Sequence, residues 1–328
     1  MPLTLHVDVD RWRKHLHETW TPQVVPVAKG NGYGFGRDRL LAEAAALGAP
    51  VVAVGTYEEV PAAPGTDVVV LSPWRPFLDV PMSSRVIHTV SRLEDLAAIP
   101  AGSRAVVEVE TSMLRHGIYV EELSRAIPQL DRIRFEGWSI HLPMDTGANL
   151  REATDLAKAA RAVRPGRVWV SHVRPGDLAA IGGDVLLRMG TALWLGDRGA
   201  LEARATVLDV HAVRRGNHVG YRQRRVPSDG HVLIVSGGTA HGIGMEAPTA
   251  AANVRQRAVT LAKGSLDAAG RALSPFTVSG RQRWFAEPPH MQASMLFLPT
   301  SVKPPAVGDE ITVDVRYTTT TFDRIVMR

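Results

Sequence analysis

A chain of 328 residues with 45% hydrophobic and 22% charged content has material for one large domain or two. With no cysteine it has no disulfide, no thiolate metal site and no cysteine nucleophile, and apolar runs such as 68–71 fall far short of the roughly 18–20 residues that cross a bilayer. The net charge of +5 is densest at 214–225, where Tyr221 is the one aromatic residue near Arg214, Arg215, Arg222, Arg224 and Arg225; this fits a solvated arginine-rich loop or strand, and no nucleic-acid or membrane partner is expected.

Residues 3–9 read as a strand that either domain can take. The start carries neither a basic segment nor an apolar run of signal-peptide type, so a cytoplasmic protein is expected. From residue 24 the chain alternates short β-branched apolar runs, at 24–28, 51–54, 67–71, 85–90, 105–110, 137–141, 168–172 and 186–189, with Ala/Leu/Arg-rich stretches of helical spacing at 37–47, 92–98, 120–130 and 150–163. Continuous apolar runs suit parallel strands covered on both faces. Eight such units predict an α/β fold, a (β/α)8 TIM-type barrel over 8–203; an open doubly wound sheet is the rival, but no G-x-G-x-x-G turn follows an early strand. Beyond it, 207–213, 217–221, 232–236, 294–297 and 310–317 read as strands of alternating type between Gly, Pro and Asp turns, giving a mostly β C-terminal domain over 204–328 to which residues 1–7 can add a strand.

In such a barrel, chemistry sits at the carboxyl ends of the strands. The first barrel strand runs into Lys29-Gly30-Asn31-Gly32-Tyr33-Gly34-Phe35-Gly36, where four glycines let the backbone lie close to a ligand. Only five of the 38 basic residues are lysines. Lys14 and Lys158 lie in helical stretches, and Lys263 and Lys303 in polar, turn-rich ones. A strand-end lysine in an apolar barrel mouth is desolvated and becomes nucleophilic, and lysine is the side chain that forms Schiff bases with aldehyde cofactors. If a lysine here holds such a cofactor, it is Lys29.

The stretch from Val27 to Gly36 resembles the K-A-N-A-Y-G-H-G pyridoxal-phosphate motif of the alanine racemases, fold type III enzymes with a barrel followed by a β domain. The resemblance implies pyridoxal 5′-phosphate as cofactor, joined to Lys29 as a Schiff base with its phosphate contacted by Tyr33. It also implies a head-to-tail homodimer with composite active sites and a small amino acid as substrate. Glu110-Thr111-Ser112-Met113-Leu114-Arg115-His116-Gly117 resembles the family's D-T-G-M-x-R-x-G loop, which puts Arg115 near the substrate carboxylate. Glu108 stands where the family often has a carbamylated lysine, and as a ready-made carboxylate it can orient Arg115. His141 matches a histidine near the cofactor ring and Ser171 a phosphate-binding serine. Leu187-Arg188-Met189-Gly190-Thr191 resembles V-R-x-G-I, so Arg188 is expected on the pyridine nitrogen and the Gly190–Thr191 backbone on the phosphate. With its pKa above about 12, such an arginine keeps its proton and biases the cofactor toward returning a proton to the α-carbon and away from transamination. Tyr317 matches a further phosphate-binding tyrosine.

The catalytic half departs from the pattern. The family's second base is a tyrosine in I-G-Y-A-D-G; here the segment is Val235-Ser236-Gly237-Gly238-Thr239-Ala240-His241-Gly242, with Thr239 in the tyrosine's place. A threonine hydroxyl has no usable acidity near neutrality. His241 can serve if the segment is extended, since residues two apart then share a face; water, or no second base, are the other options. In His290-Met291-Gln292-Ala293-Ser294-Met295, which resembles C-M-D-x-x-M, Met291 matches and Gln292 replaces the aspartate beside the substrate. The resemblance implies an amino-acid racemase with an altered second base. A D-amino-acid lyase or dehydratase of the same fold, or a non-catalytic pyridoxal-phosphate-binding protein, stay open. No metal is expected, although a histidine–carboxylate site is not excluded by composition.

Overall fold

The structure is a computed structural model that describes residues 2–62, 64–80, 83–144, 147–245 and 272–328; Lys263 lies outside the described residues. The chain forms two compact units, Lys14–Gly196 and Met1–Arg13 together with Asp197–Arg328. It opens on strand β1 (Leu3–Val7) and helix α1 (Val9–Thr19).

Strands β2 (Val24–Pro26), β3 (Val51–Val54), β4 (Asp67–Pro73), β5 (Val86–Val90), β6 (Arg104–Val109), β7 (Arg134–Ile140), β8 (Val168–Val170) and β9 (Val185–Met189) make the first unit's sheet. The helices along it are α2 (Arg37–Ala46), α3 (Leu93–Ala98), α4 (Ile127–Leu130), α5 (Asn149–Val163), α6 (Leu178–Ile181) and α7 (Thr191–Leu195). Each strand pairs in parallel with the next, β9 returns to pair with β2, and a parallel bridge between Val27 and Ala53 joins β2 to β3. The sheet is therefore a closed barrel of eight parallel strands. Side chains alternate across a strand, so one set points inward. That set contains Val25, Val27, Val51, Ala53, Val69, Ile87, Val106, Trp169 and Leu186, all nearly inaccessible, which pack together in the barrel interior. The 120–130 stretch differs from a single regular helix: it is a 3-10 segment, Val120–Ala126, that passes into α4 with Pro128 in its first turn.

The second unit continues with β10 (Leu201–Val213), β11 (His218–Val219), β12 (Arg224–Arg225), β13 (Gly230–Ser236), β14 (Leu273–Val278), β15 (Arg281–Phe285), β16 (Ala293–Pro299), β17 (Glu310–Val313) and β18 (Arg324–Met327). The long β10 pairs with β1 and β17 through its first half and with β13 through its second, with a register break between Val207 and Asp209. Because β13, β16, β15, β14 and β17 follow in order back to β10, this sheet also closes on itself, with β1 and β18 added beside β10. Its core gathers the inward residues of these strands, among them Leu3, Ala205, Val207, Leu233, Val235, Phe276, Leu296 and Leu298. The arginine-rich stretch is the two-stranded ribbon of β11 and β12, and Tyr221 at its tip is exposed. No helix among the described residues is long and apolar enough to cross a membrane.

Candidate functional site

The alternation that buries Val25 and Val27 carries Lys29 inward at the end of β2, and by the same parity it carries Glu108 beyond Val106 and Arg188 beyond Leu186. Polar residues thus succeed apolar ones toward the carboxyl ends of the barrel strands. Lys29 is accessible from the barrel mouth, yet the mouth's walls keep bulk water from much of it. This desolvation lowers its pKa below the ordinary lysine value; the charges of Arg115 and Arg188 add to the effect and Glu59 opposes it. Lys14, Lys158 and Lys303 lie exposed on other parts of the surface.

Glu59, which the sequence alone does not single out, fastens the lysine loop. It sits in the short 3-10 turn Tyr57–Glu59 after β3, and its two carboxylate oxygens accept the N–H groups of Gly30 and Gly55, each at 2.7 Å. Its signal in sequence is a carboxylate a few residues beyond a strand end. The glycine loop itself turns through Tyr33, which adopts a left-handed conformation at φ 54° and is buried. The Tyr33 hydroxyl lies where a Cβ on Gly190 would stand, so glycine at 190 is what admits it. Burial pushes this phenol up to about 12, and Glu59 adds to that, so it serves as a neutral donor. Gly190 precedes α7, whose first residue is Thr191.

Arg188 is buried in the barrel. One terminal nitrogen donates to Ser139 Oγ at 2.9 Å and the other to the Ile140 carbonyl at 3.1 Å, while Nε has no partner among the described residues. Desolvation lowers its pKa to about 10, less than the value above 12 that arginine ordinarily keeps, with Glu108 opposing the shift and Arg115 adding to it. It still holds its proton near neutrality. Glu108 is buried with one carboxylate oxygen unpartnered among the described residues, and burial pushes its pKa up to about 7 against the pull of Arg188 and Arg115. His141 and Ser171, at the ends of β7 and β8, contact each other: Nδ1 lies 2.8 Å from Ser171 Oγ, and the His141 ring meets that of His172 edge-on at 5.6 Å. Burial first, then the charges of Arg188 and Arg115, push His141 down to about 3, so its ring is neutral at working pH. Arg115 is exposed in the loop after β6, beside Leu114 at φ 51°.

The raised Glu108 value has a measurable consequence. Its folded-state pKa lies above the ordinary carboxylate value of 4.5, so the folded protein binds the extra proton and stability falls as pH rises from about 4.5 toward about 7. Glu108→Gln is expected to flatten that slope in the cofactor-free protein, an effect on the order of 3 kcal/mol across the window. Denaturant midpoints measured across this range check it, and an unchanged slope would contradict the placement.

The remaining sequence-predicted residues lie in the β unit. Thr239 is exposed on a 3-10 turn, Thr239–His241, that follows β13, so the segment is not extended. Gly237 at φ 96° ends the strand and makes the turn. His241 consequently faces away from Thr239: it is 5% exposed, its Nε2 lies 3.0 Å from Asp323, and its Nδ1 accepts the Gly238 N–H at 3.2 Å. Met291 and Gln292 are exposed and line, with Thr239, a groove of about 660 Å³ that also contains Tyr221, Glu287 and His290. Tyr317 lies beyond β17 in a turn, buried under the Arg198 guanidinium at 4.9 Å, and burial pushes it up to about 12.

Pyridoxal phosphate makes specific demands on a site, and the barrel donor set meets them. A desolvated lysine is present, an unpartnered buried N–H is available on Arg188 for a ring nitrogen, and the Tyr33 hydroxyl reaches the backbone at Gly190 through the space a side chain would fill.

Comparison with known proteins shows the family and the fold of the chain. The model of the alanine racemase N-terminal domain matches residues 5–176. An alanine racemase from Nitratiruptor sp. is 25% identical over 116 residues, which span 34% of this chain and 32% of that relative. The crystal structure of alanine racemase from E. faecalis superposes with a TM-score of 0.71 at 20% identity, covering 100% of this chain and 98% of that one. That from Bartonella henselae, which carries covalently bound pyridoxal phosphate, gives 0.69 at 16% identity over 97% and 91%. These superpositions establish the shared fold: a (β/α)8-type barrel followed by a mostly β domain. Because the family model covers more than half of its residues, the chain belongs to the alanine racemase family.

Proposed function

We propose that the protein is a pyridoxal 5′-phosphate-dependent amino-acid racemase that interconverts L- and D-enantiomers of a small amino acid. The single observation that carries the reading is the barrel-mouth donor set: the desolvated Lys29 beside the buried, charged Arg188 with its unpartnered Nε–H. The cofactor, when bound, supplies an electron sink for the pair released as the substrate's α-C–H bond breaks.

The chain's own groups do the rest. Lys29 would hold the cofactor covalently and would move a proton at its Nζ on one face of the α-carbon; its lowered pKa suits both taking and giving that proton. Arg188 would hold the ring nitrogen through a proton it does not surrender, which favours return of a proton to the α-carbon. Tyr33 would hold the phosphate together with the backbone at Gly190 and Thr191. Glu108, only partly ionised near neutrality, would offset part of the charge of Arg115 and Arg188, leaving Arg115 to receive the substrate carboxylate. His141, neutral and hydrogen-bonded to Ser171, would pack beside the cofactor ring. The active species is a head-to-tail homodimer in the cytoplasm, in which the groove carrying Thr239, Met291 and Gln292 on one copy completes the barrel mouth of another.

The test is an incubation of holoprotein with D- and L-alanine and a panel of small amino acids in deuterated buffer. Wash-in of deuterium at the α-carbon together with formation of the opposite enantiomer is expected. Deamination or decarboxylation without enantiomer formation would overturn the racemase reading and leave the fold intact.

A further inference from the structure

The groove beside Thr239 contains a histidine–carboxylate pair. Glu287, just beyond β15, is 1% exposed. Its oxygens accept the backbone N–H groups of Tyr221 at 3.0 Å and Arg222 at 3.2 Å, and His290 Nε2 hydrogen-bonds the oxygen that Tyr221 reaches. The fold makes room for this carboxylate: Gly220 has φ +72°, and a Cβ there would overlap the Glu287 carboxyl carbon. Burial alone would raise the pKa of Glu287, but the His290 hydrogen bond and the two backbone donors outweigh it and hold it below the ordinary value. An ionised carboxylate therefore sits against Nε2 at the edge of the ring.

That contact fixes what the ring presents. With Nε2 engaged by Glu287, His290 keeps Nδ1, which has no partner among the described residues. The half-buried ring lines the groove with the exposed Tyr221 stacked obliquely on it at 4.4 Å. The turn of Thr239 is stitched to the same segment, since the Thr239 N–H donates to the His290 carbonyl at 2.8 Å and the Ala240 N–H to that of Met291 at 3.0 Å. His241 is the opposite case, with both ring nitrogens engaged inside the fold. A histidine whose one nitrogen is held by a carboxylate, whose other is unengaged among the described residues and whose ring lines a groove, is suited to general acid–base work.

We propose that His290, oriented by Glu287, is the proton-transfer residue of this groove, acting on the α-carbon face opposite Lys29. The inference rests on the racemase reading and supplies its second base. In the L-to-D direction Nδ1 takes the α-proton as the C–H bond breaks, the electron pair stays with the substrate carbon and the bound cofactor, and Lys29 gives a proton to the other face. In the reverse direction Lys29 takes the proton and Nδ1 gives one; solvent restores both groups. Glu287 touches no reacting atom and is a positioning residue.

The test compares α-hydrogen exchange of L- and D-alanine in deuterated buffer for the holoenzyme and its variants. His290→Ala and His290→Asn are expected to lower racemisation by about 10²–10⁴-fold, the range of a general acid–base group, and to lower the ratio of L- to D-isomer exchange to a similar degree. Glu287→Gln is expected to lower it about tenfold, with partial recovery in Glu287→Asp. A second readout needs no cofactor: in the apoprotein, ¹⁵N NMR is expected to find His290 protonated at Nε2 and unprotonated at Nδ1, and a mixture of tautomers in Glu287→Gln. An unchanged exchange ratio in a His290 variant whose cofactor still reduces onto Lys29, or a ring protonated only at Nδ1, overturns the proposal while the racemase reading stands. Wild-type holoprotein that exchanges neither isomer overturns both.

Discussion

Under the proposed function, replacing Lys29 with alanine is expected to lower racemisation by roughly 10⁴-fold or more, because one change would remove both the covalent anchor and a proton-transfer group. No other described lysine can substitute: Lys14 pairs with Glu18 on α1, Lys158 is exposed on α5 and Lys303 is exposed in a loop beyond β16. The geometry also predicts what survives. Lys29 is accessible at the end of its strand, and the main-chain bonds that hold the strand, Val27 N–H to the Met189 carbonyl and Ala28 N–H to the Ala53 carbonyl, do not involve its side chain. Lys29→Ala should therefore fold with an unchanged melting temperature. Steady-state kinetics and calorimetry on the same preparation check both halves, and residual racemisation within tenfold of wild type would contradict the assignment.

Replacing Trp194 with alanine is expected to cost about 3–5 kcal/mol of stability, the range for deleting a fully buried aromatic side chain. Trp194 is 0% exposed on α7, and its indole N–H donates to the Val27 carbonyl at 2.8 Å. The helix that follows Gly190 is thereby tied to the strand that delivers Lys29, two residues from the bond. The loss should accordingly appear twice, as a lower denaturation midpoint and as weaker cofactor retention in the protein that remains folded. Trp194→Phe keeps most of the buried volume and loses the hydrogen bond, and is expected to fall between the two. Equal cofactor retention in Trp194→Ala and wild type would show that this tie does not position the lysine.

The barrel was readable in the sequence for a physical reason. Parallel strands covered on both faces must be apolar at every position, and the continuous runs at 51–54, 168–172 and 186–189 correspond to β3, β8 and β9. The β unit was harder. Strand β14 (LSPFTV) buries alternate residues, but Ser274 is one of them and Pro275 argues against a strand, and β15 (RQRWF) buries only Phe285 at its end, so neither shows a clean apolar alternation in its sequence. The short β18 has no fully buried residue. In the site, Lys29, Tyr33 and Arg188 stand in contiguous motifs at strand ends, where spacing and glycine content speak directly. Glu59 and Glu287 do not: each binds backbone N–H groups at least 29 residues away, at Gly30 and Tyr221 respectively, and such pairings exist only after folding. His241 shows the converse limit. Its relation to Thr239 depended on local backbone conformation, and the turn made at Gly237 sends the two side chains apart.

Lys29 in the barrel mouth is the residue proposed to carry pyridoxal phosphate, and the racemase reading depends on it. The most direct measurement is borohydride reduction of the holoprotein followed by proteolysis and mass spectrometry of the labelled peptide. One stoichiometric phosphopyridoxyl adduct is expected, on the peptide containing Lys29, and none in Lys29→Ala. Label on Lys158, Lys303 or any other lysine, or a protein that binds the cofactor and shows no reducible adduct, would contradict it.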